Sequence, residues 1–124
     1  MAHWECVESH AVRLAELAGG DVEVARWFGI FHDAARQSEG RDTRHGERAA
    51  ALVERYRSDL ALSSSQIELL KNACTYHEKG MVSDDPTIGA CWDADRLELP
   101  RVGIIPHPRQ MSTPTGKSEA SARI

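Results

Sequence analysis

Apolar positions recur at helical spacing through most of the chain. Val7, Ala11, Leu14 and Ala18, led by His3, share one stripe. Glu5, Glu8, Arg13 and Glu16 lie mostly off it, so the spacing predicts an amphipathic helix over residues 3–18. Gly19-Gly20 is a stop signal, and Asp21 offers a side-chain cap to a second helix. That helix is expected to run to about Ala35, with Val24, Phe28 and Phe31 inward. A polar loop follows over residues 37–42. A third helix starts near Thr43, with Ala49, Leu52, Val53 and Tyr56 as its apolar face. Ser63, Ser64 and Ser65 give several starts for a fourth; with Ser65 as cap, Glu68 takes the capping-box position. Its stripe is Ile67, Leu70, Cys74 and His77, ending at Gly80. Asp85-Pro86 opens a fifth helix with an acidic cap and a proline at its first position. Its stripe is Ile88, Cys91, Asp95 and Leu99, and Pro100 terminates it.

No alternating strand pattern, heptad array or internal repeat interrupts this series. The pattern predicts an all-α bundle of about five helices over residues 1–105. Residues 106–124, with Pro106, Pro108, Pro114 and Gly116 among serines and threonines, read as an extended, mobile tail. Val102, Ile104 and Ile105 are expected to pack on the domain edge, and Trp4, Trp27 and Trp92 in the core beside their helical stripes.

A length of 124 residues suits one domain rather than two. The formal net charge of −4 argues against a duplex nucleic acid partner, which calls for a basic face. It leaves room for a small phosphorylated substrate, because a bound metal supplies local positive charge. Cys6, Cys74 and Cys91 have no paired spacing, so small core residues are expected rather than disulfides or a zinc ribbon. No signal-like or membrane-spanning run is present, which points to the cytoplasm with no membrane partner. No long exposed apolar seam fixes an oligomer, so a monomer or homodimer is expected.

The chemistry lies in the polar residues that occupy apolar stripes. His32 follows Phe28 by four, His77 follows Cys74 by three, Asp95 follows Cys91 by four, and His3 precedes Val7 by four. One inward histidine is ordinarily a hydrogen-bonded core residue. Four ionisable residues from separate helices, plus Asp33 beside His32, demand a shared cation, and no Lys or Arg shares the Asp95 stripe. Such a mixed nitrogen and oxygen set suits Mn, Fe, Zn, Ni or Co over Ca, and is less selective for Mg.

These residues, in the order His3, His32-Asp33, Asp95, resemble the signature of the HD-domain superfamily of metal-dependent phosphohydrolases. The specific pieces are Phe31-His32-Asp33-Ala34, His45-Gly46-Glu47-Arg48-Ala49-Ala50 and Cys91-Trp92-Asp93-Ala94-Asp95-Arg96-Leu97. The resemblance covers residues 3–105 and is closest to small bacterial members. It implies the all-α HD fold and metal ligation by His3, His32, Asp33 and Asp95. The first ligand departs from the family pattern, since Cys6 stands where an arginine is usual. His10, in the run His10-Ala11-Val12-Arg13-Leu14, is a rival first ligand or a substrate-side residue, and spacing favours His3.

The resemblance further implies hydrolysis of a phosphate ester or anhydride, a nucleotide being one candidate, by a water that the metal activates. One or two divalent ions are expected. His45 and His77 are candidates for a second metal site bridged through Asp33, or for phosphate contact and leaving-group protonation. Gly46 beside His45 offers a close backbone approach to an anion. Arg36 and Arg96 are candidate phosphate clamps, and Asp93 a candidate carboxylate orienting a ligand histidine. A di-iron oxygenase and a non-catalytic nucleotide- or partner-binding protein are the alternatives.

Overall fold

The structure, a computed structural model, describes residues 2–37 and 42–123. Most of the expected 37–42 loop lies outside the described residues. The described chain is all-helical: α1 His3–Ala18, α2 Val22–Phe31, α3 His45–Arg55, α4 Ser64–Tyr76, α5 Pro86–Arg96 and α6 Pro114–Ser121. Short 3₁₀ turns occupy Arg57–Asp59, Leu99–Val102 and Pro108–Gln110. Among the described residues no helix is long and apolar enough to cross a membrane.

The caps explain most boundaries. Gly19 closes α1 in the left-handed region at φ 79°. The Asp21 carboxylate accepts from the Glu23 and Val24 amides, and its second oxygen accepts from Gln66 on α4 at 2.9 Å. One side chain therefore starts α2 and ties it to α4. Ser63, not Ser65, caps α4, with Gln66 completing the capping box. Asp85 caps α5 with Pro86 at its first position, as the sequence suggests.

Helix α2 is the middle of the bundle, packing on α1, α4 and α5, while α3 packs on α4. Val7, Leu14, Val24, Phe28, Ile67 and Leu70 are fully buried where these faces meet. A Cβ at Gly29 would stand 2.6 Å from the Glu8 Cα, so glycine sets how closely α1 crosses α2. Helix α2 stops at Phe31 rather than Ala35. Bonds from Ala34 to the Phe31 carbonyl and from Arg36 to the Asp33 carbonyl then tighten the chain into turns.

Residues 106–123 are not an extended tail. Thr113-Pro114 repeats the cap-then-proline start of α5, and the Thr113 hydroxyl accepts from the Gly116 amide. Met111, Thr113 and Ala120 are buried. The added helix lies along α1, where Arg13 meets Glu119 in a two-pronged ion pair. Conversely, Val102, Ile104 and Ile105 are all more than half exposed, at 56%, 51% and 61%, so they do not pack on the domain edge. Trp92 is core and donates to the Ala73 carbonyl, but Trp4 stands 46% exposed.

Candidate metal centre

Three of the site histidines sit at helix ends, and the main chain orients all three. The last carbonyls of an α-helix lack intrahelical partners. His32, just past α2, uses one of them: its Nδ1 lies 3.0 Å from the Gly29 carbonyl and 3.1 Å from that of Phe28. His77, just past α4, places Nδ1 2.6 Å from the Cys74 carbonyl. His45 opens α3 with Nδ1 2.7 Å from the Asp42 carbonyl. A carbonyl only accepts, so each Nδ1 carries the hydrogen and each Nε2 presents a lone pair.

Those lone pairs converge. His3 Nε2 lies 3.4 Å from His32 Nε2, and the two lie 3.3 and 3.4 Å from Asp95 Oδ1. Deeper in, His45 Nε2 lies 3.0 Å from His77 Nε2 and 2.9 Å from Asp33 Oδ1, with His77 Nε2 3.7 Å from that oxygen. The second Asp33 oxygen, Oδ2, is 3.5 Å from both His3 and His32. Asp33 thus serves two groups, His3–His32–Asp95 and Asp33–His45–His77, one oxygen to each.

The donor set fits metal ions. Two imidazole nitrogens that both present lone pairs at 3.0 Å repel unless a cation or proton lies between them. Ligand atoms about 2.1 Å from one ion, at right-angle or tetrahedral directions, stand about 3.0–3.4 Å apart, close to the 2.9–3.7 Å separations found here.

Local sequence explains the convergence. A Cβ at Gly46 would lie 2.5 Å from the Cys74 carbonyl oxygen and 2.7 Å from that of Thr75. Glycine lets the start of α3 press on the end of α4, and this brings His45 against His77. The expected role of Gly46 in approaching an anion is therefore corrected: its open face is filled by α4. Arg48 donates to the Ala35 carbonyl and pairs with Asp42, tying the turn after Asp33 to α3.

The electrostatics of the site are those of a cage in which buried carboxylates and imidazoles stabilise one another. Hydrogen bonds to Asp33 and then Asp95 raise His3 to about 9, against the penalty of burial. Burial pushes the Asp33 carboxyl up, but hydrogen bonds with His3 and His77 outweigh it and hold it well below the usual range. Asp95 shows the same balance, with His3 and His32 opposing burial. His77 is raised: burial works against the charged form, and Asp33 and Asp95 prevail.

Outer carboxylates complete the cage. Glu78 Oε2 is 2.9 Å from His45 Nδ1, and Glu98 Oε1 is 4.0 Å from His3 Nδ1. Neither was anticipated. The signals were adjacency of Glu78 to His77 and a one-turn spacing of Glu98 from Asp95. A cleft of about 620 Å³ opens over His3, Asp33 and Asp95, with Arg36, Glu78 and Glu98 in its walls. Arg36 Nη1 is 3.7 Å from Asp33 Oδ1 and 3.3 Å from Glu78 Oε1, at the edge of the second group.

Three expected roles are corrected. His10 stands outside both groups, 3.5 Å from Glu98 and 3.1 Å from Arg13, so of the two rival first ligands the structure brings in His3. Asp93 orients no histidine. It is fully buried and accepts from the Ser112 and Thr113 amides and the Thr113 hydroxyl. Arg96 turns from the cleft to donate to the Gln110 carbonyl and lie over Trp92. Both residues anchor the C-terminal segment.

A family model described as HD domain matches residues 2–106. No curated protein and no solved structure matches the sequence significantly.

Proposed function

Because the chain belongs to the HD-domain family, we propose that it is a metal-dependent phosphohydrolase that cleaves a phosphate ester or anhydride, nucleotides among the candidate substrates. The observation that carries this reading is Asp33, which turns one oxygen to each of two His/Asp groups, beneath an open cleft lined by His3, Asp33 and Asp95. One ion would be held by His3, His32, Asp95 and Asp33, and a second by Asp33, His45 and His77. Divalent ions so held supply Lewis acidity toward phosphoryl oxygens and make a water acidic enough to act as nucleophile near neutral pH.

The protein's own groups then do three things. The backbone carbonyls at helix ends fix the imidazole rings, so no reorganisation is needed as charge develops. Arg36, beside Asp33, is placed to hold phosphoryl oxygens in line with the centre. His45 and His77 orient and hold; with Nδ1 tied to a carbonyl and Nε2 given to a cation, neither has a proton left for a leaving group. Glu78, in the cleft wall, keeps His45 in register from behind.

The test is reconstitution. Chelator-treated protein is loaded separately with Mn, Co, Ni, Mg, Zn or Fe and assayed on phosphomonoesters, nucleotides and pyrophosphate. Two ions per chain are expected in the wild type, one in His45→Ala or His77→Ala, and no activity in Asp33→Asn. Protein that retains no divalent ion and cleaves no phosphate bond under any loading would refute the hydrolase reading. Oxygen-dependent spectral change in the iron-loaded form alone would replace it with di-iron oxidation, which the histidine-rich set with a bridging carboxylate would also serve.

A further inference from the structure

The cleft over the metal centre contains two arginines in different states. Arg36 is turned toward the centre, with His45, Asp33 and Glu78 all within reach of its Nη1. Arg101, on the 3₁₀ turn Leu99–Val102, also lines the cleft, yet among the described residues its side chain has no hydrogen bond or ion pair. The acid nearest in sequence that shares its wall is Glu98. The Glu98 oxygens already face His3 and His10, at 4.0 and 3.5 Å. The charge of Arg101 is nonetheless felt at the centre, where it opposes protonation of His3.

The turn that carries Arg101 is stiff. Pro100 precedes it, and Gly103 closes it in the left-handed region at φ 84°, donating to the Leu99 and Pro100 carbonyls. Such a base fixes the backbone beneath the guanidinium, so binding orders the side chain but not the turn. The cleft, about 620 Å³, lies within the usual range of small-molecule sites, about 300–1,000 Å³. A lone phosphoryl group fills a small part of it. The remainder of the substrate must lie against walls otherwise rich in carboxylates, where the one uncommitted cation among the described lining residues is Arg101.

We infer that Arg101 binds a second anionic group of the substrate, a phosphate or a carboxylate, beyond the phosphoryl group at the His/Asp centre. The preferred substrates are then phosphoanhydrides or phosphate esters with a second negative group, not simple monoesters. This rests on the hydrolase reading above.

Three probes separate the possibilities in the metal-loaded full chain: p-nitrophenyl phosphate, inorganic pyrophosphate and phosphoglycolate. Arg101→Ala is expected to raise KM about tenfold or more for pyrophosphate, phosphoglycolate or both, the worth of one charge-assisted contact. It should leave kcat, and every constant for p-nitrophenyl phosphate, unchanged. Arg101→Lys should recover part of the loss. Equal effects on all three probes, or none, would overturn the inference. Calorimetric binding of imidodiphosphate to wild type and Arg101→Glu provides a readout without turnover. If the protein cleaves nothing, the hydrolase reading fails on its own, and equal imidodiphosphate affinities still overturn the role given to Arg101.

Discussion

Replacing Asp93 with Ala should release the C-terminal segment and leave the rest of the bundle standing. Asp93 Oδ1 accepts from the Ser112 amide at 2.6 Å, and Oδ2 accepts from the Thr113 amide and hydroxyl at 2.8 and 2.7 Å. Hydrogen bonds to a charged group contribute about 1.5–3 kcal/mol each, and three on one side chain are not additive. Burial opposes them: it pushes the Asp93 carboxyl up, against Thr113 and Ser112 holding it down. The net loss is about 3 kcal/mol, the lower end of what breaking a buried charged pairing costs. In a chain of this size that lowers the melting temperature by roughly 10 °C. Thermal unfolding gives the size, and amide exchange gives the place: protection should fall over residues 111–121 while α2 and α4 keep theirs. Asp93→Asn is the sharper test, since its amide nitrogen would meet donors on Thr113 or Ser112 and should rescue little. An Asn variant as stable as wild type, or an Ala variant costing under about 1 kcal/mol, would refute the reasoning.

Two further outcomes follow from the metal centre. His3 in the folded, metal-free protein sits near 9 against 6.5 for a free histidine, so its contribution to stability is complete below pH 6.5 and is lost as pH rises through about 9. A divalent ion must displace that proton, so metal affinity should rise from pH 7 to 9 with proton release, read by calorimetry in buffers of different ionisation heat; a flat profile would contradict it. Gly46→Ala should cost about 1–3 kcal/mol, because the new methyl forces α3 away from the Cys74 and Thr75 carbonyls. The same shift parts His45 from His77, so the variant should bind one ion instead of two, by metal analysis.

Helical periodicity alone singled out His3, His32, His77 and Asp95, because an ionisable residue on an apolar stripe is visible without coordinates. It was weaker wherever side-chain direction mattered more than neighbourhood. Asp93 and Arg96 looked like site residues because they flank Asp95. At about 100° per residue, Asp93 is about 200° round the helix from Asp95, close to the opposite face. That face holds the last helix, which was itself hidden by composition. Prolines and serines in residues 106–124 suggested a mobile tail, yet Thr113-Pro114 is the same start signal read correctly at Asp85-Pro86. What was missing was its anchor, a buried carboxylate twenty residues earlier. Gly46 posed a similar problem: a glycine beside a histidine does not say whether a ligand or another helix will use the space.

The way His32, His45 and His77 are held has an evolutionary side. Many proteins position a working imidazole with the side chain of an acid, and a single codon change can delete that support. Here each ring has a peptide oxygen behind it, from Gly29, Asp42 or Cys74, and an acid, Glu78, is added only at His45. No substitution removes an oxygen from the main chain. The tautomers are therefore insured against drift as long as the helices end where they do, and selection is free to rework the walls of the cleft while leaving its floor in place.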